Sequence, residues 1–186
     1  MAMDAKAARE LIEQSEILFT KEEVDAATSR VAKELNRDYV NTHPLVLSVM
    51  GGAVVFTGQL LPQLNFPLDF DIVQASRYGA ATVGTQLTWR VAPRDNINGR
   101  HVLILDDILD EGITLAAIVE LVKSYGALSV ECAVFCVKDY GADVNSKKPL
   151  QAKYVGLTVP NRFIYGYGMD VSGAWRNLPA IWAKRQ

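Results

Sequence analysis

The chain has 186 residues, enough for one domain with its own core, and 19 basic against 21 acidic residues leave a formal charge of −2. Hydrophobic residues at 49% with 22% charged exclude an intrinsically disordered chain, and the near-neutral charge excludes a broad basic surface for nucleic acid. The most apolar stretch, Leu45 to Phe56, is about twelve residues long against the ~20 of a membrane span, and the charged opening MAMDAKAARE has no apolar leader core. A cytoplasmic protein with no nucleic-acid or membrane partner is therefore expected.

The N-terminal third reads as helical. Residues 5–14 form a short amphipathic run. Thr20 and Glu23 make a capping box, followed by Val24, Ala27, Val31, Leu35 and Tyr39 at helical spacing. PLVLSVM is a continuous apolar run of strand length, and Gly51-Gly52 turn it into a predicted helix, AVVFTGQLLPQL. Residues 67–76 alternate as a strand, RYGAATVGT is a small-residue loop, and QLTWRV is a returning strand. After a turn at Asn98-Gly99 come the strand HVLILDD, the loop ILDEGIT, the helix LAAIVELVKSYGA and the strand SVECAVFCVK. Cys132 and Cys136 fall on one face of that strand at period two, too far apart for a disulfide, and read as buried free thiols of a reducing compartment. Residues 139–152 are a polar loop, with short strands at 153–157 and 162–166 and a last apolar segment at 179–183. Strand and helix alternate, so the expectation is one α/β domain around a mostly parallel sheet flanked by helices.

The chemistry concentrates in one segment. The apolar strand Val102–Leu105 ends in Asp106 and Asp107, and Asp110, Glu111, Gly112, Ile113 and Thr114 lead into a helix. Ligands of open α/β sheets bind beyond the carboxyl ends of strands, and a helix N-terminus with turned backbone amides is an anion site. Carboxylates beside it would repel a bare phosphate unless they take hydroxyls or a metal. The segment thus offers a phosphate cradle next to acceptors for a ribose diol or Mg²⁺. The other nucleotide signatures, G-x-x-x-x-G-K-[ST] and G-x-G-x-x-G, do not occur.

This segment resembles the PRPP-binding motif of the type I phosphoribosyltransferases. VKDY and RFIYGYGMD…WR extend the likeness, from about residue 44 to 178, to the bacterial hypoxanthine-guanine phosphoribosyltransferase family. The resemblance implies the fold of that family: a core at about 40–140, a small hood from the N- and C-terminal segments and a flexible flap. It implies that Asp106 and Asp107 hold the ribose hydroxyls, partly through Mg²⁺. The amides of Asp110, Glu111, Gly112, Ile113 and Thr114, with the Thr114 hydroxyl, would take the 5′-phosphate. Asp110 would be general acid/base at the purine N7. Glu111 and Ile113 stand where better-known members often carry Thr and a basic or polar residue.

The resemblance also implies that the loop at Met50 and Gly51 contacts pyrophosphate, through backbone at Met50, with a cis bond expected at Val49–Met50. Arg77 and Tyr78 match the family's Ser-Tyr pair, so a catalytic flap with Tyr78 would close there and exclude water. Lys138 would donate to the purine O6, Phe163 would stack on the base, and the Ile164 carbonyl would accept from the guanine 2-amino group. Asp170 would join Asp106 and Asp107 as a Mg²⁺ ligand, and Arg176 would clamp the pyrophosphate. His43 and His101 read as structural. The implied reaction joins PRPP to hypoxanthine or guanine, giving a nucleoside monophosphate and pyrophosphate, in a homodimer or homotetramer. Two alternatives stand beside it: a xanthine-preferring enzyme, and a non-catalytic regulator that senses PRPP or nucleotide.

Overall fold

Unbroken apolar runs bury both faces of a strand, and they build the centre of this molecule. The computed structural model describes residues 3–78, 86–93 and 97–185, with backbone alone at 76–78, 86 and 87. In chain order the elements are α1 (Ala5–Glu13), β1 (Ser15–Phe19), α2 (Lys21–Tyr39), β2 (Leu45–Val49), α3 (Val54–Leu60), β3 (Asp69–Tyr78) and β4 (Gln86–Val91). β5 (His101–Leu109), α4 (Ile113–Ser124), β6 (Ser129–Asp139), α5 (Ala142–Asn145), β7 (Tyr154–Pro160), β8 (Ile164–Tyr165) and β9 (Ile181–Lys184) follow. The central sheet runs β4-β3-β2-β5-β6-β7. Its strands are parallel except β4, which returns antiparallel along β3.

Each face of the sheet carries its own core. On one, Val24, Val31 and Leu35 of α2 meet Phe56, Leu60 and Phe135. On the other, Ile118, Val119 and Val122 of α4 meet Leu45, Leu47, Ile104 and Val134. The capping box forms as expected: Thr20 Oγ1 accepts from the Glu23 amide at 3.3 Å, and the Glu23 carboxylate accepts from the Thr20 amide at 2.8 Å.

A second sheet, β1-β9-β8, is antiparallel and joins the two ends of the chain, pairing Ser15 with Lys184 and Tyr165 with Trp182. This is the hood. It corrects the reading of the N-terminal third as all helix, because SEILF is a strand. Five residues carry too little periodicity to declare themselves, and β1 exists through its pairing with β9 at the far end of the chain. β5 also runs further than HVLILDD. Asp106, Ile108 and Leu109 stay in register with Val134, Cys136 and Val137 of β6, so the loop shrinks to Asp110–Gly112.

The two thiols are buried and free. They do not share a face: Cys132 lies in the α4 core and Cys136 in the α2 core. Alternation fails at Phe135-Cys136, where both neighbours join the α2 side. Gly79–Thr85 of the expected flap, and the side chains of Arg77 and Tyr78, lie outside the described residues.

Candidate active site

The site forms where β5 runs out of core. Val102–Leu105 are fully buried, while Asp106 and Asp107 continue the strand with their carboxyls at its C-terminal end. Asp106 Oδ1 accepts from the Asp107 amide at 3.0 Å, and Asp107 Oδ1 accepts from the Ile108 amide at 2.9 Å. Burial, then the adjacent Asp107 charge, pushes the Asp106 carboxyl well above the usual carboxylate range. Burial pushes Asp107 up as well, opposed by its hydrogen bonds and by the Arg176 charge. Gly52 closes over this pair. A Cβ there would sit 1.6 Å from Asp107 Oδ2, so only glycine leaves room for the carboxylate.

Beyond β5 the chain turns at Gly112 with φ +82° and enters α4, which has no side-chain cap bond. The first-turn amides of a helix have no intrahelical acceptor, so here they remain free to receive a ligand. They border a pocket of about 130 Å³ lined by Asp106, Asp110, Glu111, Gly112, Ile113 and Thr114 among others. Among the described residues that lining contains no Lys or Arg.

A second pocket, of about 230 Å³, adjoins the first through Ile108 and Asp110. Asp107 and Lys138 line it from the sheet, and Phe163, Ile164, Met169 and Asp170 from the hood side. Phe163 is 63% exposed, a large ring held open at the mouth. The Lys138 side chain is only 12% exposed, and its ammonium donates to Asp110 Oδ2 at 3.0 Å. The Tyr140 phenol donates to Asp110 Oδ1. Burial would raise the Asp110 carboxyl, but the bonds from Tyr140 and Lys138, with the charge of Lys148, hold it below its usual range. Arg176 pairs with Asp170 Oδ1 at 2.5 Å and donates to the Gly168 carbonyl at 2.7 Å.

A helix N-terminus beside two strand-end carboxylates adjoins a second pocket in which three acids and a paired ammonium face the exposed ring of Phe163. Residues 14–172 match the family described as the phosphoribosyl transferase domain. The chain belongs to the phosphoribosyltransferase family. It is 33% identical to the hypoxanthine-guanine phosphoribosyltransferase of Bacillus subtilis over 89% of this chain and 90% of that one. It is 35% identical to the bifunctional protein TilS/HprT of Listeria innocua over 89% of this chain, and there it spans only 25% of the relative's length. The hypoxanthine phosphoribosyltransferase structure from Trypanosoma cruzi superposes with a TM-score of 0.84 at 33% identity, covering 93% of this chain and 97% of that one.

In this phosphoribosyltransferase the structure gathers Asp106, Asp107, Asp110, Glu111, Gly112, Ile113, Thr114, Lys138, Phe163, Ile164 and Asp170 around the two adjoining pockets. Arg176 reaches the second through Asp170. The cis bond falls at Met50–Gly51, one residue later than expected. The Met50 amide still donates to the Val73 carbonyl at 2.8 Å, so the chain leaves the β2–β3 ladder only after residue 50. Arg77 and Tyr78 end β3, with side chains outside the described residues. His43 lies by Asp69 and His101 by Ser129, at the opposite end of the sheet. Sequence reasoning missed Tyr140 and Lys148, whose Nζ donates to the Lys138 carbonyl at 2.5 Å. The available signal was an aromatic two residues past the lysine in VKDY.

Proposed function

We propose that this phosphoribosyltransferase moves the 5-phosphoribosyl group of PRPP to N9 of a 6-oxopurine, hypoxanthine or guanine, in purine salvage. The bond from ribose C1 to the pyrophosphate oxygen breaks, the C1–N9 bond forms, and the base loses one proton. The observation that carries this reading is the Lys138–Asp110 pair at the floor of the second pocket, directly beside the amide-lined first pocket. Lys138 offers a donor suited to a ring oxygen at position 6 and opposed to an amino group there, which selects against adenine. Asp110, ionised and adjacent, accepts or returns the proton at N7 as N9 becomes nucleophilic. Exposed Phe163 stacks on the base, and the Ile164 carbonyl meets the 2-amino group of guanine.

The 5′-phosphate goes to the amides of residues 110–114 and the Thr114 hydroxyl. Among the described residues the lining there lacks cations, so backbone dipoles supply the positive potential, and Glu111, an exposed residue at its edge, would have to keep its carboxylate away from the phosphate. Asp106 and Asp107 hold the ribose hydroxyls. Arg176 reaches the pyrophosphate once it leaves Asp170. Met50 and Gly51 offer backbone to the same group. Tyr78 and Arg77 would cover the site.

Mg²⁺ fits this donor set. Asp106 and Asp107 are half-buried carboxyls whose ionisation is opposed by burial, and a divalent cation would relieve that. Among the described residues no cluster of three or more His, Cys, Asp or Glu forms a metal cage. Mg²⁺ characteristically takes one or two carboxylates plus substrate phosphates, and Asp170 would serve as a further ligand once freed from Arg176. Bound to PRPP, it would neutralise charge on the departing pyrophosphate. The reading includes one phosphoribosyltransferase domain over residues 1–186, a homodimer or homotetramer, and the cytoplasm, in keeping with two buried free thiols.

Pyrophosphate release, measured for each free base with and without Mg²⁺, tests the reading. Release with hypoxanthine or guanine that requires Mg²⁺ is expected. Tight PRPP binding with no release for any base would overturn it in favour of a regulator.

A further inference from the structure

Lys138 near the end of β6 and Tyr140, the first residue past it, both reach one carboxylate. The ammonium takes Oδ2 of Asp110 and the phenol takes Oδ1. They arrive from different sides. Lys138 lines the 230 Å³ pocket proposed for the base. Tyr140 lines a separate groove of about 360 Å³ with Glu111, Ile113, Val144, Lys147 and Lys148. The tyrosine is itself braced. Its amide donates to Asn145 Oδ1 at 3.2 Å, and the Asn145 side chain donates to Asp139 Oδ1 at 2.6 Å. Lys148 Nζ sits 5.3 Å from its ring centre while bonded to the Lys138 carbonyl.

We propose that Tyr140 is a positioning residue that anchors Asp110 from behind, so that Oδ2 keeps facing the base throughout the reaction. This rests on the function proposed above. In the free site Lys138 and Tyr140 share the carboxylate. When Lys138 turns to the purine O6, Asp110 loses one donor, and its side chain, 46% exposed, would be free to swing. Tyr140 cannot be called away in that manner, because its phenol lies outside the base pocket and its loop is tied by Asn145 and Lys148. A neutral donor is also suited to the role. It fixes the oxygen without forming a second full ion pair that would compete with proton transfer.

The test is Tyr140→Phe, which keeps the ring and removes the donor. The expected result is a fall in kcat of about 10-fold, the scale of one hydrogen bond to a charged group, with the KM for PRPP within about twofold of wild type. In an Asp110→Asn background the same change should cost nothing further, because Tyr140 acts through that carboxylate. An unchanged kcat in the single variant, or an equal fall in both backgrounds, would overturn the inference. A matching rise in the KM for PRPP would also count against it, since that marks general disturbance of the site. Tyr140→Leu, which likewise lacks the donor, should behave as Phe does. Wild-type protein that releases no pyrophosphate would instead sink the underlying function, and so the two failures are distinguishable.

Discussion

Carboxylates at the two ends of the central sheet are treated in opposite ways. At the end where β2, β3, β5 and β6 begin, Asp69 is bonded to Arg100 at 2.6 Å with His43 at 3.4 Å. Near it, Asp38 is bonded by Arg37 at 2.8 Å and Tyr154 at 2.9 Å, with Lys153 at 3.7 Å. These bonds hold both carboxyls below their usual range. At the other end Asp106 and Asp107 stand side by side with no basic partner bonded to either among the described residues, and both are pushed up. One end uses its acids to hold the fold together. The other holds two acids whose ionisation burial opposes, at a cost in stability. Asp110 is the exception at the site end. It is paired, and held low, by Lys138 and Tyr140. Burial raises the two acids without a bonded cation, and bonded donors lower Asp110 in spite of it.

The largest effect should come from breaking that exception. Asp110→Asn keeps the shape and removes the proposed proton acceptor. General acid/base groups contribute ~10²–10⁴ in rate, so kcat should fall by about 100-fold or more. PRPP affinity, on the proposed reading set by the neighbouring amides, should change by less than about threefold. Steady-state kinetics with hypoxanthine and a PRPP titration check the two halves separately.

The second effect should have opposite signs in stability and activity. The folded-state Asp106 carboxyl is raised, so its favourable contribution is complete below the unfolded value and is lost as pH rises through the folded one. Asp106→Asn removes a charge that burial and Asp107 oppose. The ligand-free variant should melt higher at pH 8 by ~2–4 °C, the shift of about 1 kcal/mol in a chain of this size. The gain should shrink towards pH 5. Activity and Mg²⁺ response should fall in the same variant. A lower melting temperature at pH 8 would show that Asp106 has a stabilising partner.

The contrast also explains what could be read from residues alone. The first pocket is lined by one contiguous segment, from Asp106 past Thr114, and its grouping was legible because strand, acids, turn and helix start follow one another in sequence. The second is assembled from β5, β6 and the hood, whose residues are separated by dozens of positions. Lys138, Phe163 and Asp170 each look ordinary alone, and only the resemblance to a family grouped them. Tyr140 escaped because its role depends on where the loop after β6 folds back. β1 escaped because its partner, β9, lies at the far end of the chain. Long apolar strands such as VLIL and the capped helix α2 were legible because burial on both faces, or a 3.6-residue period, marks them locally.

The smallest expected effect lies at the supporting end, and its sign is fixed by linkage. Asp38 has a folded-state value lowered to about 2, against ~3.9 for an unperturbed Asp. The bond from Arg37 is the first cause and that from Tyr154 the second, with burial opposing. A lowered acid contributes stability that is present above the unfolded value and lost as pH falls through the folded one. Asp38 is exposed, so solvent screens much of this. Asp38→Asn should therefore lower the melting temperature by only about 1–2 °C at pH 7, and the difference from wild type should vanish between about pH 4 and pH 2. Pyrophosphate release at pH 7 should be unchanged, because the residue sits at the far end of the sheet from both pockets. A drop in activity without a drop in melting temperature would mean that the two ends are coupled, and the division between supporting and reacting carboxylates would fail.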